Sequence, residues 1–228
     1  MQTTLRRAIA FVGTGLHSGR LARLTVRPAG PDHGIWFRRR DVDWADPMIP
    51  ALWHAVCDTS LNTRLGNAAG VTVSTVEHLL AALAGCGVSN ALIEIDGPEV
   101  PIMDGSARRF VEAIRKAGLQ PLGAPRRVLR VLARVEVVEG QARAALEPAS
   151  RLEIDFEIDF PDAAIGRQRK SLALVNGVFA DELADSRTFC RRTEIEWMHA
   201  RGLARGGTLE NAVVVDGDRV LNPEGFRH

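Results

Sequence analysis

Apolar residues recur at helical spacing over Ser74–Gly87, where Val76, Leu79, Leu80 and Leu83 fall on one side and Glu77 and His78 bracket Ala81 on the other. This predicts a short helix that turns its large side chains to a core. Its ionisable pair sits above small residues, where another segment or a ligand can approach closely. A second helix is predicted after Asp104-Gly105, with Ser106 as its cap, Phe110, Val111 and Ile114 on one face and Gly118 beyond its end. Strand-like runs cover Thr4–Val12, Leu21–Pro28, Gly34–Arg38, Ala51–Val56 and Asn90–Asp96. The polar, turn-rich Cys57–Gly70 reads as an excursion from the sheet. Strands with two helices on one face make a two-layer α+β unit.

Pro121–Pro125 reads as a linker, and beyond it the pattern starts again. Val128–Val138 and Ala142–Leu146 flank a Glu139-Gly140 turn. Over Arg151–Phe160, Leu152, Ile154, Phe156, Ile158 and Phe160 alternate with an acidic face that reads as solvated sheet surface. Ser171–Val175 is a further strand, and Val178–Ala184 a helix leading into a turn at Ser186–Phe189. The run from Asn90 to Val100 has an echo in Asn211 to Val220. The fold class expected is therefore α+β, with two similar two-layer domains: 1–120, a linker at 121–126, and 127–228. The second copy stops early, because the first has a helix after this strand and the chain ends at Pro223–His228.

With 228 residues and 46% hydrophobic content, the chain can bury a substantial core. A net charge of +1 offers no global field for nucleic acid or an anionic membrane. Cys57, Cys86 and Cys190 are widely spaced and form no C-x-x-C, which fits a reduced, cytoplasmic interior without a cysteine-based zinc site. No apolar run approaches the ~20 residues of a membrane span.

Several motifs carry chemistry, and each has an ordinary alternative. Ser74-x-x-Glu77 reads as a capping box and Gly85 as a left-handed stop, so cap and catalyst are both open for Glu77. A lone His78 is open between a structural role and a ligand. The Gly13–Gly19 turn, G-T-G-L-H-S-G, looks like a phosphate loop. Its spacing is G-x-G-x-x-x-G, however, and strand-like Leu21–Pro28 follows where a dinucleotide site needs a helix. His17 in this turn faces either a cleft or solvent.

Taken together, G-x-G-L-H-S-G at Gly13–Gly19, S-T-V-E-H-L-L-A-A-L-A-G at Ser74–Gly85, D-G-P-E-V-P-I-M-D-G-S-A at Asp96–Ala107, S-R-T-F at Ser186–Phe189 and G-L-A-R-G-G-T-L-E-N-A-V-V-V at Gly202–Val215 resemble the UDP-3-O-acyl-N-acetylglucosamine deacetylase family of lipid A biosynthesis. That family consists of zinc enzymes of the Gram-negative cytoplasm. The resemblance implies hydrolysis of the N-acetyl group of a UDP-linked acylated amino sugar, with Zn2+ as cofactor, by a monomer without membrane insertion. It implies that His78 binds zinc, that Glu77 is the general base, and that Thr188 hydrogen-bonds the developing oxyanion. His17, Leu61, Asp159, Phe160 and Phe189 match residues that bind substrate, the Phe160 ring stacking on uracil. Two positions depart from the pattern. The family's phosphate-side lysine is matched by Ala142, with Arg143 shifted by one, and an aromatic residue of the acyl passage is matched by Arg191. The family's other zinc ligands, in an H-K-x-x-D helix, follow the segment at which this chain stops, and a terminal His228 is poorly placed to replace them. The sequence thus reads as the N-terminal major portion of such an enzyme, expected to bind zinc weakly and turn over little substrate. The rival expectation is a non-catalytic remnant that binds a UDP-sugar or an acyl chain.

Overall fold

The computed structural model describes residues 1–175 and 177–227. Its first half is built from β1 (Thr3–Leu5), β2 (Ile9–Thr14), β3 (Leu21–Pro28), β4 (Ile35–Arg39), β5 (Met48–Pro50), β6 (Val56–Asp58), β7 (Arg64–Gly66), β8 (Thr72–Val73), α1 (Glu77–Gly85), β9 (Ala91–Ile95), α2 (Arg108–Ala117) and β10 (Leu119–Pro121). The order β2-β3-β9-β4-β5 forms a five-stranded mixed sheet. In it β9 is antiparallel to β3 and parallel to β4. The buried faces of α1 and α2 lie in one core with the sheet residues Leu24, Val26, Phe37, Ile93 and Ile95. Phe110 of α2 meets Phe11 of β2 edge to face, their ring centroids 4.9 Å apart. This is the two-layer α+β arrangement that the periodicity predicts.

Several element boundaries differ from the sequence expectation. Thr4–Val12 is two strands, broken at Arg6-Arg7. There the Arg6 N–H donates to Gly118 O, the Arg6 guanidinium to Leu119 O at the start of β10 and the Arg7 guanidinium to Lys116 O near the end of α2. Ala51–Val56 is not one strand: a 3₁₀ turn at Trp53–Ala55 separates β5 from β6. The excursion at 57–70 is ordered by a small sheet, β6-β7-β8. Residues 119–125 do not run free, since β10 pairs with β1 and the Gln2 N–H donates to Ala124 O.

The second half contains β11 (Val135–Glu139), β12 (Ala142–Leu146), β13 (Glu153–Asp159), β14 (Arg167–Ala173), α3 (Val178–Glu182), β15 (Phe189–Arg191), α4 (Arg192–Ala200), β16 (Val213–Asp216) and β17 (Arg219–Val220). β11 and β12 form the expected hairpin, although 128–134 is not strand. The acidic face of β13 is less bare than expected: Arg169 pairs with Asp155 and Arg167 with Glu157 across to β14. The predicted turn at Ser186–Phe189 runs straight into β15, parallel to β16, and α4 follows where the hydrophobic pattern gave no prediction. The two echoing segments fall on β9 and β16, each flanked by one parallel and one antiparallel neighbour.

Candidate active site

The start of α1 overturns the capping-box reading. Thr75 adopts φ 57°, left-handed backbone for a β-branched residue, which carries strain of about 1–3 kcal/mol. Val76 is the cap residue and its side chain accepts no capping bond. The Ser74 hydroxyl instead accepts from Arg64 Nε at 2.9 Å, and Glu77 Oε2 accepts the Thr63 N–H at 3.0 Å. Glu77 therefore sits in the first helical turn with its charge at the positive end of the helix. It tethers the loop that carries Leu61 (φ 62°). Nor is Gly85 a left-handed stop: it is the last helical residue, and Gly87 (φ 81°) makes the reversal. Gly85 is required for a different reason, because a Cβ there would lie 2.2 Å from the Phe179 ring of α3.

His78 lies next to Glu77, largely buried. Burial pushes its imidazole below the ordinary pKa of 6.5, against the opposing pull of the Glu77 and Asp104 charges. It is therefore neutral at pH 7, the form that ligates zinc. Among the described residues no three His, Cys, Asp or Glu side chains converge closely enough to hold a metal ion. The described residues thus show His78 without a converging set of further donors, and His228 lies outside them.

Asp104 links this pair to the second half. Burial raises its pKa, but hydrogen bonds from Arg227 and Ser106 outweigh that and hold it below 3.8. Arg187, with its side chain only 1% exposed, donates to Asp104 O, Leu209 O and Glu224. The next residue, Thr188, donates its N–H to Gly105 O at 2.8 Å and accepts from the Val213 N–H at 2.9 Å. The fit at this joint is tight: a Cβ on Gly105 would lie 2.0 Å from Asn211 O.

Behind Thr188 lies a cavity of about 290 Å³. His17, Leu61, Thr188 and Phe189 all line it, together with Ile195 and Met198 of α4. The His17 Nδ1 accepts the Ala204 N–H at 3.4 Å, which in the neutral ring leaves the proton on Nε2; that atom is buried without a hydrogen-bond partner among the described residues. Cys190 also faces this cavity; burial and Glu194 push its thiol pKa up, so it lines the wall as a neutral group. Phe160 lies just beyond, edge to face with Phe189 at 5.3 Å, and Asp159 is exposed at the end of β13. Four of the eight anticipated site residues therefore share one cavity. Glu77 and His78 do not line it: His78 feels the charge of Asp104, whose neighbour Gly105 bonds Thr188, and Phe160 touches the cavity wall through Phe189.

Of the two departures from the motif pattern, only that at Arg191 has a local resolution. Arg191 does not line the cavity; it turns away and pairs with Asp162 and Glu194, so its charge is not buried alone. Arg143 projects to solvent from β12, 3.9 Å from Glu136. Sequence reasoning missed Ile195 and Met198, although their i, i+3 spacing was a usable helical signal. It also missed Glu99 and Arg187, whose importance depends on distant carbonyls and amides.

A model of the family described as LpxC, UDP-3-O-acyl N-acetylglycosamine deacetylase, matches residues 2–228. A UDP-3-O-acyl-N-acetylglucosamine deacetylase of Phenylobacterium zucineum is 54% identical over 226 residues, 99% of this chain and 77% of that protein. Proteins of the same name from Myxococcus xanthus and Pseudoalteromonas atlantica are 48% and 42% identical, covering 99% and 100% of this chain and 71% and 75% of their own lengths.

Proposed function

The chain belongs to the LpxC family of UDP-3-O-acyl N-acetylglycosamine deacetylases, and from that membership we propose that it hydrolyses the N-acetyl group of a UDP-linked 3-O-acyl-glucosamine on the way to lipid A. The observation that carries this reading is the convergence of His17, Leu61, Thr188 and Phe189 on one largely apolar cavity. A fatty acyl chain is the part of such a substrate that suits it.

In the proposed arrangement Phe160 stacks on uracil and Asp159 binds the nucleotide, while Phe189, in contact with Phe160, bounds the acyl cavity. Glu77 is the general base. Its Oε2 already holds the Thr63 N–H, so Oε1 is the oxygen assigned to the proton of the attacking water. Thr188 directs its hydroxyl at the oxyanion that forms when the amide carbon becomes tetrahedral, with its backbone fixed on both sides. His78 would serve as one donor to a zinc ion, which when bound would supply Lewis acidity to the amide carbonyl. The reading carries with it a cytoplasmic, monomeric enzyme. No helix among the described residues is long and apolar enough to cross a membrane.

Zinc content and acetate release from UDP-3-O-acyl-N-acetylglucosamine test the proposal in the natively encoded protein. Glu77→Ala is expected to keep the metal and lose about 10²–10⁴-fold in kcat. His78→Ala is expected to lose both. Unchanged metal content and turnover in the double alanine variant would overturn the assignment, and UDP binding without acetate release by the zinc-replete protein would favour a non-catalytic binder.

A further inference from the structure

Glu99, in the D-G-P-E-V-P stretch after β9, has no part in the chemistry described above, yet it is only 3% exposed. Three uncharged donors fill its carboxylate. The His17 N–H and the Thr75 hydroxyl bond Oε1 at 2.8 and 2.9 Å, and the Ser18 N–H bonds Oε2 at 2.7 Å. The backbone repeats the connection: the Ser74 N–H donates to Pro98 O and the Val100 N–H to Ser74 O. The turn closes so tightly over this carboxylate that a Cβ on Gly15 would lie 2.3 Å from Oε2. One side chain thus fastens two segments far apart in sequence, the turn bearing His17 and the left-handed Thr75 that precedes Glu77 and His78.

We propose that Glu99 is a positioning residue for the deacetylation: by clamping Thr75 and the His17–Ser18 amides to one point, it sets how Glu77 and His78 leave the strand-to-helix turn and how His17 faces the cavity. This rests on the roles given above to Glu77 and His78. The strain at Thr75 persists because its hydroxyl is held, and the same carboxylate orders a wall of the substrate cavity.

Glu99→Gln preserves volume but replaces one acceptor oxygen by an N–H₂ that must face either Ser18 or the His17–Thr75 pair, so it breaks one arm of the clamp without opening a hole. Expected is a loss of about ten-fold or more in kcat, with UDP affinity by calorimetry unchanged within about two-fold. Thr75→Val, which removes only the hydroxyl donor, should lose a similar factor and Thr75→Ser should retain wild-type turnover. The Glu99→Gln/Thr75→Val double variant should lose no more than the worse single variant, because both act through one contact. Additive losses, UDP affinity falling in step with kcat, or an unimpaired Thr75→Val would overturn the proposal. Should Glu99→Gln fail to fold, the Thr75→Val and Thr75→Ser pair carries the test. Amide hydrogen exchange separates this outcome from failure of the functional reading. Even if the wild-type protein releases no acetate, Glu99→Gln must accelerate exchange at His17 or Ser18, whichever N–H the new N–H₂ faces, and unaltered protection at both would sink the clamp on its own.

Discussion

At Thr188 a structural role and the proposed chemical one fall on different atoms. Its N–H and carbonyl bind Gly105 and Val213, so its backbone is fixed whatever the side chain does, and a substitution there reads the hydroxyl alone. Thr188→Val is expected to lower kcat by about 10²–10³-fold, the usual loss for one oxyanion donor, with KM little changed and Thr188→Ser close to wild type. Steady-state kinetics with the acylated UDP-sugar check this, and a change confined to KM would remove the oxyanion role. At this scale the sequence was informative in type but not in use. The Glu77-His78 pair is visible as a string of letters, yet a capping box and a general base share the spelling S-x-x-E. The left-handed Thr75 puts Val76 rather than Ser74 at the cap, which excludes the capping box; general base is the role proposed above for the carboxylate so freed.

Among the elements, α1 and α2 were legible because one buried face imposes a 3.6-residue period that no other element shares. Elements held mainly by partners distant in sequence were not. β15 has three residues and exists because β16 lies alongside it, and α4 owes its one fully buried residue, Met198, to the fold around the cavity. Gly85 makes the contrast concrete. Read along the chain it is a helix stop, whereas in the fold it is the gap into which the Phe179 ring of α3 packs. Gly85→Ala keeps helical backbone and gains propensity, so a stop signal alone predicts little harm. The packing predicts destabilisation by about 1–3 kcal/mol as α3 is pushed off, seen as a lower midpoint in urea with unchanged slope.

Across the whole molecule, hydrogen bonds join the two halves beside the candidate site. Asp104 is bonded by Arg227, which also bonds Asp185, while Arg187 crosses to the Asp104 carbonyl. The Asp104 carboxyl is held below its ordinary 3.8 in the folded protein. As pH falls, the unfolded chain therefore takes up this proton first. The stabilisation is complete above about pH 4 and drains away as pH drops below 3.8 toward the folded value. Chemical denaturation between pH 7 and pH 3 should show Asp104→Asn less stable than wild type at neutral pH, with the gap closing below about pH 4. A gap independent of pH would mean that Asp104 contributes by packing rather than charge.

By itself the sequence determined the α+β class, the faces of the two first-half helices, the strand at Leu21–Pro28 and the residue types of the candidate site, because burial on one face and turn chemistry are local constraints written at fixed spacing. Only the tertiary structure decided which residues meet. It brought His17, Leu61 and Thr188 to one cavity, gave Arg191 its carboxylate partners, and made Glu99 a junction rather than a solvated acid. Contacts between residues tens of positions apart depend on how whole elements pack, and that packing leaves no periodic trace in the chain.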